Sequence, residues 1–167
     1  MNKHIKIILT LIFTTCLLIG CASTENTPVL KYQEIIEFED SLTKDFLYDR
    51  TRLWLAESFV DSKKVIELEN KEQGLLVGNG GMKFTFGILA PMPGEFSLRV
   101  DIKNGRIRTT YNNFKIYIRP SQYSSGGWSV IHEGTVNGYP KQAIDVAKKL
   151  NQDLRAFINS TEEDSDW

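Results

Sequence analysis

The stretch from Phe96 to Tyr111 constrains the fold more than any other part of the chain. Phe96, Leu98, Val100 and Ile102 alternate with Ser97, Arg99, Asp101 and Lys103, and Asn104-Gly105 follows. Strict alternation marks a strand with one buried face, and Asn-Gly between two such runs is the strongest short hairpin signal. A two-residue turn pairs Lys103 with Arg106, Ile102 with Ile107, Asp101 with Arg108, Val100 with Thr109 and Leu98 with Tyr111. Asp101 opposite Arg108 relieves the like-charge pair beside it, by about 0.2–1 kcal/mol. The alternation then slips: Ile107, Thr109 and Tyr111 are odd-numbered, whereas Phe114, Ile116 and Ile118 are even. One extra residue near Asn112-Asn113, a bulge or bend, restores the same facing.

The remaining elements follow from weaker patterns. Leu30 to Glu39 reads as a strand with Tyr32, Ile36 and Phe38 on one face. Ser41 and Thr43 offer N-caps, and Asp45 suits the positive end of a helix dipole. A helix over Lys44 to Phe59 then has an apolar side of Phe46, Leu47, Leu53, Trp54 and Phe59, a core stripe and not a cofactor box. Val65 to Glu69 reads as a short strand ended by Asn70 to Gly74. Leu75 to Gly87 is the next strand, loosened by Gly78, Gly80 and Gly81. Those glycines lack the Gly-Lys-Ser/Thr ending of a phosphate loop, which favours a bulge or a close backbone approach.

Leu89 to Glu95, with two prolines, reads as a loop, as does the polar Arg119 to Gly127. Trp128 to His132 suggests a short edge strand. Pro140 suits the first turn of a final helix. Ala143, Ile144, Ala147, Leu150, Leu154, Phe157 and Ile158 give that helix a sustained apolar stripe to lie on the sheet. The expected order is strand, helix, four strands, helix. This is an α+β class, an antiparallel sheet with helices packed on one face.

The N-terminus carries an address. A basic start (Lys3, Lys6) precedes an apolar run from Ile7 to Ile19, and Leu18-Ile19-Gly20-Cys21 closes it. These are the parts of an export signal, and the apolar run is too short for the ~20 residues of a spanning helix. The last four residues resemble the lipobox of bacterial lipoproteins. The resemblance implies cleavage between Gly20 and Cys21, diacylglycerol on the Cys21 sulfur, and a further acyl chain on the new amine. Two or three chains anchor a protein stably where one binds only marginally. Ala22, where inner-membrane lipoproteins sorted in the enterobacterial manner carry Asp, points to the outer membrane, periplasmic face. The alternative is an uncleaved anchor helix, which the short run disfavours.

Cleavage removes Cys16, and lipid occupies Cys21, so neither of the two cysteines remains for a disulfide, a thiolate nucleophile or a metal. Of 20 basic and 21 acidic residues, Lys3 and Lys6 leave with the signal, so the remainder carries a formal charge of −3. That argues against a nucleic-acid partner, which requires a basic surface. The organisation is then a signal over 1–20, a lipidated cysteine and polar tether over 21–29, one domain over 30–159 and an acidic tail over 160–167. Trp167 at its tip reads as solvated, with docking the less favoured alternative.

Lys44-Asp45-Phe46-Leu47-Tyr48 with Trp54-Leu55-Ala56-Glu57-Ser58-Phe59, Val100 to Arg108, and Asn112-Asn113-Phe114 carry a second resemblance. They are similar to a bacterial family of domains of unknown function described as having a TATA-binding-protein-like fold. The match spans Tyr32 to Ile118, with Lys-Asn-Gly at the turn where the family usually has Lys-Asp-Gly. Its members are commonly exported or lipoproteins, and it supplies no catalytic residues. The fold name transfers no DNA function, because fold does not determine function.

No catalytic set emerges from the residues. His4 leaves with the signal, so His132 is the one histidine of the mature part, too few for a zinc set. Ser129 stands near it without a nucleophile elbow. No cofactor or metal is implied. What remains is the polar face of the hairpin, with Arg99, Lys103, Arg106 and Arg108. Such charges ordinarily form a solvated face; the alternative is an anion-binding strip for an acidic protein surface or an envelope polymer. The expectation is a membrane-anchored, non-enzymatic binding or assembly protein of the cell envelope. A carrier of a small apolar ligand between sheet and final helix is the alternative.

Overall fold

The computed structural model describes residues 27–59, 66–86 and 89–160. The lipobox, Val65, Gly87 and residues 161–167 of the tail lie outside them. Strand β1 (Tyr32–Glu37) is followed by helix α1 (Lys44–Ser58), strands β2 (Ile66–Asn70), β3 (Leu75–Phe86), β4 (Leu89–Lys103), β5 (Arg106–Ile118) and β6 (Gly127–Val130), and helix α2 (Tyr139–Asn159). The strands form one antiparallel sheet ordered β1-β5-β4-β3-β2, with β6 also on β5.

Every hairpin pair expected from the alternation is present, from Lys103 with Arg106 to Leu98 with Tyr111. The slip is resolved by one extra residue on β5. Glu95 pairs with Lys115 and Ser97 with Asn112, and Asn113 takes the left-handed conformation (φ 52°) that asparagine tolerates better than most residues. Phe114 and Ile116 thereby join Ile107, Thr109 and Tyr111 in the core. Gly80 serves a close approach: a Cβ there would collide with the ring of Phe96 and come within 2.8 Å of Phe59.

Five strands follow α1, not four. β1 covers only Arg106 to Tyr111 of its edge of β5, and β6 fills the same edge from Lys115 to Ile118. The chain from Leu89 to Glu95 is strand, not loop, because it continues the ladder with β3 as far as Leu89. Pairing of β4 with β5 starts only at Gly94, so Pro91 and Pro93 lie where β4 has a free edge and a missing N–H is tolerated.

Both helices pack on one face of the sheet. Thr43 caps α1, its hydroxyl accepting the Phe46 amide at 3.3 Å, and the Asn104 side chain at the hairpin turn accepts the Lys44 amide at 2.8 Å. The buried side of α1 is Leu47, Tyr48, Thr51, Trp54 and Leu55, so Phe46 and Leu53 fall outside the face expected for them. Thr51 can enter the core because its hydroxyl donates to the Leu47 carbonyl at 2.6 Å. Helix α2 starts with Pro140 in its first turn and buries Ala143, Ala147, Asn151, Leu154 and Ile158.

Candidate functional site

No described residue covers the side of the sheet away from the helices, and the four basic residues of the hairpin share it. Arg99, Lys103, Arg106 and Arg108 are all exposed, alternating with the buried Leu98, Val100, Ile102 and Ile107. They do not stand alike. Asp101 takes Arg99 at 2.7 Å and Arg108 at 3.1 Å. The hydrogen bond from Arg99 holds the Asp101 carboxyl below the usual aspartate range against an opposing effect of burial, with Arg108 adding to it. The expected cross-strand pair therefore forms, but Arg99, two residues along the same strand, is the stronger partner. Lys103 and Arg106, opposite each other beside the turn, have no carboxylate within 4 Å among the described residues.

The far end of the same face is aromatic and aliphatic. Tyr117 on β5 meets Trp128 on β6 edge-on, with ring centroids 5.4 Å apart. Trp128 and Val130 are exposed while Ile131, the next inward position, is buried. Val29 bridges His132 and is also exposed, whereas Leu30 enters the core. The hairpin's cations and this apolar end thus occupy opposite ends of one open surface.

His132 has a structural task. Its Nδ1 lies 2.9 Å from the Thr27 carbonyl, and its backbone amide donates to the Thr135 hydroxyl at 2.9 Å. It thereby pins the entering chain beside β6. Among the described residues no group of three or more His, Cys, Asp or Glu side chains could hold a metal ion.

A partly buried polar chain lies on the other side of the sheet, beneath α2. The Tyr111 hydroxyl donates to the Asn151 carbonyl oxygen at 2.8 Å, the Asn151 amide donates to Glu34 at 2.7 Å, and the Tyr32 hydroxyl donates to the same Glu34 oxygen at 2.7 Å. Burial, reinforced by the bond to Glu34, pushes the Tyr32 phenol up to about 12; burial also raises Tyr111. The Thr109 hydroxyl is buried without a partner, and Thr109 lies opposite Glu34 across the β1–β5 ladder. These residues are joined by the fold, not by sequence spacing. The one sequence signal is positional: Ala143, Ala147, Asn151, Leu154 and Ile158 keep helical core spacing through an asparagine.

The interface between the sheet and α2 is filled by Phe84, Tyr111 and Phe114 against Ala143, Ala147 and Leu154, each at most 1 % exposed. A groove of about 530 Å³ does open at one end, lined among others by Phe38, Leu42, Phe46, Arg155 and Ile158. It lies where the end of β1 and the β1–α1 connection meet the last turns of α2.

An antiparallel sheet covered on one side by two helices places the molecule in the class of TATA-binding-protein-like (TBP-like) α+β folds. A crystal structure of a TBP-like protein from Parabacteroides distasonis ATCC 8503 superposes with a TM-score of 0.64 at 12 % identity, over 83 % of this chain and 97 % of that one. A DUF4468 family protein from Bacteroides ovatus ATCC 8483 gives 0.60 at 13 % identity, over 86 % and 94 %. The chain belongs to the family described as "Domain of unknown function (DUF4468) with TBP-like fold", whose sequence profile matches residues 32–117. No curated protein matches it.

Proposed function

We propose that this protein is a lipid-anchored, non-enzymatic binding or assembly module of the bacterial cell envelope that engages its partner through the open face of its sheet. The observation that carries this reading is the one-sided architecture. Both helices cover the same face, and among the described residues the other is left uncovered, with Arg99, Lys103, Arg106 and Arg108 gathered at its hairpin end. Arg99 and Arg108 pair with Asp101, while Lys103 and Arg106 make no ion pair among the described residues, with Glu37 opposite Arg106 across the β1–β5 ladder. A partner with an acidic surface, protein or envelope polymer, suits that strip, since charge complementarity steers association and sets register.

Support for the anchor comes from Leu18-Ile19-Gly20-Cys21, with Ala22 favouring the outer membrane. Among the described residues no helix is long and apolar enough to cross a membrane. Crosslinking in intact envelopes, followed by capture of the protein, tests the reading. A specific partner is expected, and its yield should fall at least several-fold in Lys103→Glu/Arg106→Glu. Recovery of no partner, together with a hydrolytic activity of the purified protein, would overturn it.

A further inference from the structure

We infer that the aromatic end of the open sheet face rests on the bilayer surface that the anchor enters. This inference rests on the lipidation of Cys21 proposed above. Val29, Trp128 and Val130 are 47 %, 51 % and 38 % exposed and lie on the same side of the sheet as Tyr117. Tyr123, 90 % exposed, projects from the adjoining β5–β6 connection. Exposed apolar side chains clustered this way on a folded domain mark a contact with something else, here beside the Lys115–Glu95 ion pair that faces Val130. Tryptophan and tyrosine, apolar in body and polar at one edge, are the residues that settle at headgroup level.

The chain itself indicates the occupant. Val29 belongs to the patch and is the first bridged residue among the described ones, and Cys21 stands eight residues before it. Fully extended, eight residues reach about 28 Å at most. The Val29 edge of the patch is therefore held within that distance of the lipid-bearing sulfur, whereas a protein partner would have to displace a surface that is always there. The charges nearby are mixed: Glu133 is exposed beside His132 and Glu95 pairs with Lys115, but two cations with no ion pair among the described residues border the patch. Lys31 is exposed next to Val29 on the entering chain, and Arg119 is exposed at the end of β5. Both suit anionic headgroups. The hairpin turn lies roughly 35 Å further along β5 from Tyr117, at 3.3 Å per residue. One end of the face then meets lipid, and the cationic end is left for the partner.

The test uses the full-length lipidated protein in vesicles of phosphatidylethanolamine and phosphatidylglycerol whose acyl chains carry bromine, which quenches tryptophan on close approach. Tryptophan emission should fall, and Trp128→Phe should abolish that fall. Trp54 is buried in the core, and any loss due to Trp167 would persist in the variant. The mass of the Cys21 peptide is read on the same sample. Lipidated protein that shows no quenching, or quenching unchanged in Trp128→Phe, overturns the docking while the anchor stands. A Cys21 without lipid overturns the anchor, and the docking falls with it. An envelope protein lost from crosslinked Trp128→Ala, with no quenching in protein-free vesicles, assigns the patch to a protein and overturns the proposal.

Discussion

Asn151 interrupts an otherwise apolar seam and is nonetheless buried, so its partners decide its effect. Replacing it by leucine fills the volume but strands the Tyr111 hydroxyl and takes one donor from Glu34. Asn151→Leu should lower stability by about 1–3 kcal/mol in urea unfolding, and Tyr111→Phe by about 0.5–1.5 kcal/mol. The double variant should lose less than the two singles together, because they share a bond. The network also predicts a pH response. Tyr32 is raised to about 12 from 10.0, so it stays neutral in the folded state where an unfolded tyrosine ionises. Its contribution is complete below pH 10 and is lost as pH rises towards 12; alkaline titration of Tyr32→Phe should lack that component. Asp101 has the opposite sign. Its pKa is lowered, so its contribution is present above the usual aspartate value and disappears as pH falls below it, a change absent in Asp101→Asn. Little of this network was legible beforehand. An asparagine at core spacing is visible in the sequence, but its partners come from 40 and 117 residues away.

Among the elements, the β4–β5 hairpin was readable from Phe96 to Ile118, because alternation, turn and register are all local. Its bulge follows from parity alone. Deleting Asn113 should turn Phe114 and Ile116 toward the open face and prevent cooperative unfolding, while Asn113→Gly should keep the fold. Circular dichroism melts distinguish the two. The turn has a second role that local pattern does not show. Asn104 caps the first turn of α1, and Gly105 exchanges backbone bonds with Leu42 and Phe38. Asn104→Ala should therefore cost about 0.5–2 kcal/mol, as loss of a helix cap does, and Asn104→Asp should retain most of it. The start of β4 and the phase of α1 escaped the sequence for a different reason. Prolines argue against strand except at a free edge, and a free edge is a property of the assembled sheet. Thr51 reads as a surface residue until its hydroxyl is seen to bond within the helix.

For the molecule as a whole, α+β class and one-sided packing were legible because two apolar helices need a single sheet face to bury against. The short edge strand expected over Trp128 to His132 is β6, but the strand count missed it, because β6 occupies an edge that exists only because β1 is short. Strand β5 consequently borders β4 on one side and both β1 and β6 on the other. Removing residues 138–167 would uncover Phe84 and Phe114, so that truncation should give insoluble protein or one that binds a hydrophobic dye. The shared edge of β5 has a mechanical consequence. Were Cys21 lipidated as proposed, tension from the anchor would enter at Val29 and run into β1, while a partner held at the hairpin would pull on the opposite end of β5. The bonds between these strands lie perpendicular to that pull, so the six β1–β5 residue pairs would bear the load in shear, all at once, and not peel apart one by one.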